Sequence, residues 1–247
     1  MKIHGLQKMT LLDFPGQVAC TVFLGGCDFR CPFCHNFELV DGSAQPVRDD
    51  TELLAFRDKP KGLLDGVAVT GGEPCLHPAL PAVLRAIRKR GFKVKLDTNG
   101  YHPEMLRSLL EEGLVDYVAM DIKNSPAKYA LTCGLTEAGG TMPAAAANTP
   151  AAGSMDLTPI RESIRLLMES GIDYEFRTTV VREFHTAEDF HGIGEMIAGA
   201  GRYFLQSFTD RDSVPFEGLH APSPEELASF AAIMETYVPA TQIRGVD

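Results

Sequence analysis

The sequence predicts an α/β fold of parallel strands joined by helical crossovers, because apolar runs of strand length alternate with amphipathic segments of helical period, and those segments tend to stop at glycine. Val18 to Leu24 reads as the first strand, Gly66 to Thr70 as the second and Phe92 to Asp97 as the third. Val115 to Ile122, Tyr174 to Val181 and Arg202 to Phe208 supply three more. Between them Leu80, Val83, Leu84 and Ile87 recur at helical spacing before Gly91, and Met105, Leu106, Leu109 and Leu110 do so before Gly113. Ile160, Ile164, Leu167 and Met168 repeat the pattern before Gly171. The last helix carries its own start signal, with Ser223 as cap, Pro224 in the first turn and Glu226 closing a capping box. Six βα units result, and pattern alone leaves a barrel and an open doubly wound sheet both standing.

The chain has 247 residues, 45% of them hydrophobic, enough for one domain with a sizeable core. Its 33 acidic against 23 basic side chains give a net charge of -10, the wrong sign for neutralising phosphates, so neither nucleic acid nor an anionic membrane surface is an expected partner. The best apolar run is far too short to span a bilayer, and a cytoplasmic protein is expected. The stretch from about 132 to 155 is rich in Ala, Gly, Thr and Pro and lacks either period; it reads as a surface insertion without chemistry.

Three of the six cysteines sit within eight residues, in Cys27-Asp28-Phe29-Arg30-Cys31-Pro32-Phe33-Cys34-His35-Asn36, just after the first strand. Reduced thiols acting as ligands fit this spacing better than disulfides. Soft thiolates select iron-sulfur clusters, zinc or copper(I), and a cubane with three cysteine ligands leaves one iron free for another molecule. The competing reading is zinc with His35 as fourth ligand, but adjacent Cys34 and His35 are poorly placed to meet at one tetrahedral ion. Cys20, Cys75 and Cys133 stand alone and read as small buried apolar residues.

Polar groups recur where the strands end. Thr70-Gly71-Gly72-Glu73-Pro74 follows the second strand, and its glycines let backbone approach a ligand. Asp97-Thr98-Asn99-Gly100 follows the third and Asp121-Ile122-Lys123 the fourth. Functional residues of parallel βα folds gather at such C-terminal strand ends. Arg177 and Thr178 lie inside the fifth strand, where a charge needs a polar cavity or a partner, and they read either as cofactor contacts or as part of an outward-facing salt bridge. Arg85, Arg88, Lys89, Arg90, Lys93 and Lys95 read as a solvated face.

CxxxCxxC at 27 to 34 followed by TGGEP at 70 to 74 resembles the radical S-adenosylmethionine superfamily. Within it, Gly5-Leu6-Gln7-Lys8, Leu12-Asp13-Phe14-Pro15-Gly16, the CPFCHN run, DTNG at 97 to 100 and Phe176 to Val181 are similar to the anaerobic ribonucleoside-triphosphate reductase activating proteins. The resemblance implies a partial (β/α)6 TIM-type barrel with a 4Fe-4S cluster at its mouth, three irons held by Cys27, Cys31 and Cys34 and the fourth by S-adenosylmethionine. It places Phe33 and His35 along the adenine and Asn36 among the groups holding the cofactor. Gly71, Gly72 and Glu73 would receive the cofactor's amino group, and Asp121 and Lys123 its ribose or carboxylate oxygens. Asn99 and Arg177 would be further cofactor contacts. Asp97 is similar to a position that, in the pyruvate formate-lyase activating enzyme, helps hold a monovalent cation. No side chain beyond the cluster and cofactor is implied to be catalytic.

The implied activity is reductive cleavage of S-adenosylmethionine and formation of a glycyl radical on a partner enzyme, anaerobic ribonucleoside-triphosphate reductase, with a flavodoxin or ferredoxin as electron donor. One departure stands out: the related formate-lyase activase has a histidine at the end of its last barrel strand, where Phe204-Leu205-Gln206-Ser207-Phe208 offers none.

Overall fold

A computed structural model of the chain describes residues 2–49, 63–135 and 155–245. Most of the expected insertion, 136–154, therefore lies outside the described residues. Among the described residues nine strands form one sheet in the order β3-β1-β2-β4-β5-β6-β7-β8-β9. They are β1 (Lys2–Thr10), β2 (Ala19–Leu24), β3 (Arg48–Asp49), β4 (Gly66–Gly71), β5 (Lys93–Thr98), β6 (Tyr117–Asp121), β7 (Asp173–Val180), β8 (Tyr203–Ser207) and β9 (Thr241–Arg244). From β2 through β9 every neighbouring pair is parallel, whereas β1 pairs antiparallel with both β2 and β3. The two ends of the order, β3 and β9, do not pair, so the sheet is not a closed barrel.

All six expected strands are present within a residue or two of their expected bounds. Three further strands depart from the six-unit expectation: β9 extends the parallel series, and β1 with β3 finishes the opposite side.

Among the described residues the α-helices are α1 (Phe37–Asp41), α2 (Leu80–Arg88), α3 (Pro103–Glu111), α4 (Tyr129–Thr132), α5 (Thr158–Glu169), α6 (Ala187–Ile197) and α7 (Pro224–Glu235). Ser223 and Glu226 form the anticipated capping box on α7, and Thr186 with Asp189 forms another on α6. The apolar stripes of these helices cover one face of the sheet. Val67 and Val69, Val94 and Leu96, Val118 and Met120, and Tyr203 and Leu205 join that core at every second strand position.

The alternate positions form the other face, which is mostly polar. Tyr117 donates to Glu175 at 2.6 Å, and Arg244 grips the same carboxylate at 2.8 and 3.0 Å while lying 3.2 Å over the Phe204 ring. Phe14 packs under this layer against Tyr117. A TIM barrel interior is usually filled with branched aliphatics; here ion pairs occupy much of it.

Candidate functional site

The parallel strands deliver their C-terminal ends to one side, where a cavity of about 510 Å³ opens. Cys27, Cys31 and Cys34 line it, together with Phe33, His35, Asn36, Gly71, Gly72, Asp97, Asn99, Asp121, Lys123 and Arg177. Every expected site residue except Glu73 and Thr178 is therefore brought to one place.

The two glycines act first on the protein itself. The Gly72 and Glu73 amides donate to the Leu24 and Gly26 carbonyls at 2.8 and 2.7 Å, carrying the β2–β4 ladder past the strand ends to the edge of the cysteine loop. A Cβ on Gly71 would lie 2.2 Å from the Leu24 oxygen, and one on Gly72 would lie 2.0 Å from the Gly26 oxygen. Only glycine lets the two loops approach this closely.

The Glu73 carboxylate differs from its expected role. It turns inward, fully buried, and accepts from the amides of Cys75 (2.9 Å) and Asn99 (2.6 Å) and from the Thr98 hydroxyl (2.8 Å). Burial nonetheless raises its pKa. Its side chain ties the β4 and β5 loops together rather than facing the cavity.

The cysteine loop is held on all sides. The Gly26 amide donates to the Leu39 carbonyl in α1 at 2.7 Å, and His77 bonds the Gly25 carbonyl at 2.8 Å. His102 meets Asp28 at 2.7 Å, and Phe29 packs on Tyr101. The Asn36 amide reaches the Gly71 carbonyl at 3.4 Å. Phe33 lies against Phe184, while His35 stacks on Phe208 and bonds the Thr209 carbonyl at 2.7 Å. The end of β8, which lacks the expected histidine, is thus tied to the cysteine loop through His35, and Gln206 is the β8 side chain that lines the cavity.

The thiols are not equivalent. Burial pushes Cys27 up to about 12 and also raises Cys34. Cys31 is lowered, because a side-chain hydrogen bond with Cys133 outweighs its burial. The Asn99 side-chain amide points at the Cys27 sulfur from 3.8 Å, and the Phe29 backbone amide approaches it at 3.4 Å.

Beyond the thiols runs a chain of alternating charge. Lys95 pairs with Asp97, Arg177 reaches Asp97 at 3.3 Å and Asp121 at 2.5 Å, and Lys123 meets Asp121 at 2.9 Å. Burial alone would raise both carboxyls, yet Arg177 with Lys123 holds Asp121, and Arg177 with Lys95 holds Asp97, below their usual range. Lys95, expected on a solvated face, is buried in this chain. The Asp97 carboxylate, expected beside a monovalent cation, already has two cationic partners. Thr178 also departs from expectation: its hydroxyl donates to the Ile122 carbonyl at 2.7 Å and accepts from Tyr203 at 2.6 Å, on the core face. The neighbouring Thr179 lines the cavity instead, because strand side chains alternate.

Asp13, Thr179, Gln206 and Arg211 also line the cavity and were not singled out from sequence. Thr179 and Gln206 could have been found by stepping two residues along their strands. Arg211 sits in a loop, and nothing local marks it.

The donor set suits a cluster better than a single ion. Among the described residues no three His, Cys, Asp or Glu side chains converge for one metal ion, whereas a cubane takes one thiolate on each of three different irons. The cavity volume falls in the range of small-molecule sites. Its mixed charges match a ligand carrying ammonium, carboxylate and ribose groups. Among the described residues no helix is long and apolar enough to cross a membrane.

Comparison with known proteins agrees with this geometry. A protein of Methanocaldococcus jannaschii with the provisional name of glycyl-radical enzyme activating enzyme is 29% identical over 99% of this chain and 96% of its own length. The pyruvate formate-lyase-activating enzyme of Clostridium pasteurianum is 32% identical over 50% of this chain and 52% of its own, so the chain spans about half of that relative. Among solved structures, Streptococcus suis SuiB bound to S-adenosylmethionine aligns over 91% of this chain and 52% of that one with a TM-score of 0.64 and 11% identity, a likeness of fold. The family model for the radical SAM superfamily matches residues 21–197. The chain therefore belongs to the radical SAM superfamily, whose members use a 4Fe-4S cluster and S-adenosylmethionine.

Proposed function

We propose that this chain is a glycyl radical enzyme activase in which Cys27, Cys31 and Cys34 ligate the cluster. One observation carries the reading: a three-thiol loop, pressed against Gly71 and Gly72, opens onto a charged cavity at the ends of parallel strands. When bound, cluster and cofactor supply one-electron cleavage of the sulfonium and, through it, removal of a hydrogen atom from a glycine.

The chain's own residues bind and orient. The Gly71 and Gly72 backbone would hold the cofactor's amino group, and Asp121 and Lys123 its ribose and carboxylate oxygens. Phe33, His35 and Asn36 would border the adenine, and Asn99 and Arg177 would complete the wall. The Lys95–Asp97–Arg177–Asp121–Lys123 chain fixes these charges in place, so little reorganisation accompanies binding.

The activase reading draws on the end-to-end match with the Methanocaldococcus jannaschii relative. The partner is proposed to be anaerobic ribonucleoside-triphosphate reductase, on the motifs at 5–8, 12–16 and 97–100, and the electron donor a flavodoxin or ferredoxin. A small-molecule substrate is the second reading, favoured by 31% identity over 44% of this chain to the 7-carboxy-7-deazaguanine synthase of Methanopyrus kandleri.

The test is anaerobic reconstitution followed by incubation with reductant, cofactor and candidate reductase. The expected result is 5'-deoxyadenosine together with a glycyl radical signal on the reductase. Cys31→Ala is expected to stay folded and to form no 5'-deoxyadenosine; unchanged product from that variant removes the ligand assignment. Brisk cofactor turnover with every candidate glycine untouched would favour the second reading.

A further inference from the structure

Cys133 sits where the sequence placed the start of a surface insertion. It is fully buried at the end of α4, as a lone cysteine was expected to be, but it does not stand alone: its thiol is the hydrogen-bond partner of the Cys31 sulfur. The contact is built in by the backbone. The Arg30 amide donates to the Cys133 carbonyl at 2.8 Å, and a Cβ on Gly134 would lie 2.2 Å from the Arg30 oxygen, so the turn after α4 is pressed against the cysteine loop. Asn124 secures α4 from below, donating to the Thr132 hydroxyl at 2.8 Å and the Phe184 carbonyl at 3.0 Å. Cys133 does not line the cavity, whereas Cys31 does, so it stands behind that thiol.

Tyr129 provides a second, independent observation. One helical turn before Cys133, its side chain is fully buried and its hydroxyl has no hydrogen-bond partner. The Lys123 backbone and Cys133 are among its near neighbours. A buried donor without an acceptor is rare and points to a group that joins the site later.

We propose that Cys133 and Tyr129 are positioning residues that supply donor hydrogens behind Cys31 and raise the reduction potential of the cluster. An iron-bound thiolate keeps lone pairs that accept hydrogen bonds. A reduced cluster carries one more negative charge than an oxidised one, so donors stabilise it more and move the potential upward. The Cys133 thiol acts through Cys31, and the Tyr129 hydroxyl, one helical turn from Cys133, is the second donor. The inference rests on the cluster assignment to Cys27, Cys31 and Cys34.

The test is a spectroscopic redox titration of the anaerobically reconstituted protein, with iron and sulfide measured on the same samples. Cys133→Ala is expected to keep its iron and shift the midpoint to a more negative potential. Cys133→Ser, which retains a donor, should recover much of that shift. Tyr129→Phe removes one unpartnered atom, so its fold is secure, and its midpoint should move in the same direction by less. Identical midpoints in parent, Cys133→Ala and Tyr129→Phe overturn the proposal, as do equal shifts in the alanine and serine variants, which would mean packing rather than donation. Loss of iron from both Cys133 variants would make Cys133 a ligand and overturn it as well. A parent protein devoid of iron and sulfide would sink the cluster assignment itself, a result separate from any of these.

Discussion

Gly72 and Gly91 both lack a side chain for reasons that experiment can separate. At Gly72 a methyl group would meet the Gly26 carbonyl at 2.0 Å, backbone against backbone, with no rotamer to relieve it. Gly72→Ala is therefore expected to cost about 1–3 kcal/mol, as overpacking does, and to lower the iron retained after reconstitution by moving the cysteine loop. Gly91 has φ +86 and nothing within 4 Å of where a methyl would stand, so Gly91→Ala should cost about 1–2 kcal/mol from backbone strain alone and leave iron content unchanged. Urea denaturation and iron analysis check both; equal iron loss in the two variants would contradict the contact argument. The cysteines, paired glycines and strand-end charges were legible in sequence because their chemistry is dense over few residues. Glu73 and Cys133 were not, because their roles depend on which way a side chain turns and on a partner a long way off in the chain.

Strands and crossover helices were readable wherever an apolar run had one period. β1 was not, because its exposed and buried positions follow no regular alternation and its pairing with β2 is interrupted by register shifts. β9 is four residues, with Thr241, Ile243 and Arg244 half-buried and Gln242 exposed, too short and polar for a periodicity argument. Its place is set largely by Arg244, whose guanidinium reaches across the sheet to Glu175. Glu175 is almost fully buried and also accepts from Tyr117, so Glu175→Ala leaves two donors without an acceptor. The expected cost is about 2–3 kcal/mol, below that of a fully buried pair because Arg244 is partly solvated. Hydrogen exchange should quicken first in the β9 amides; if β9 stays protected while the rest of the sheet loosens, Arg244 is not its anchor.

The same ionic interior shapes how the entire chain responds to acid. Asp97, Asp121 and Asp189 all have carboxyl pKa values below the ordinary 3.8. For such groups the stabilisation is present above about pH 4 and is lost as pH falls, because the unfolded chain takes up protons first. Glu73, whose pKa is raised, opposes this trend. The cluster-free protein is expected to unfold at lower urea at about pH 3 than at about pH 6, and Asp121→Asn should weaken that dependence while lowering stability at neutral pH by stranding Arg177 and Lys123. An unaltered acid response in the variant would show that Asp121 does not carry it. None of this was visible from the net charge of -10, which says how many charges exist but not which are buried together. Among the described residues the flanking strands β3 and β9 do not pair with each other, and this bears on what could be handled at the mouth. A ring admits only what can be threaded or shrunk to fit, but a wall shaped like a C takes a strand of polypeptide broadside, so under the proposed activity a glycine deep within a partner's sequence could be offered on a loop, with neither terminus needing to pass.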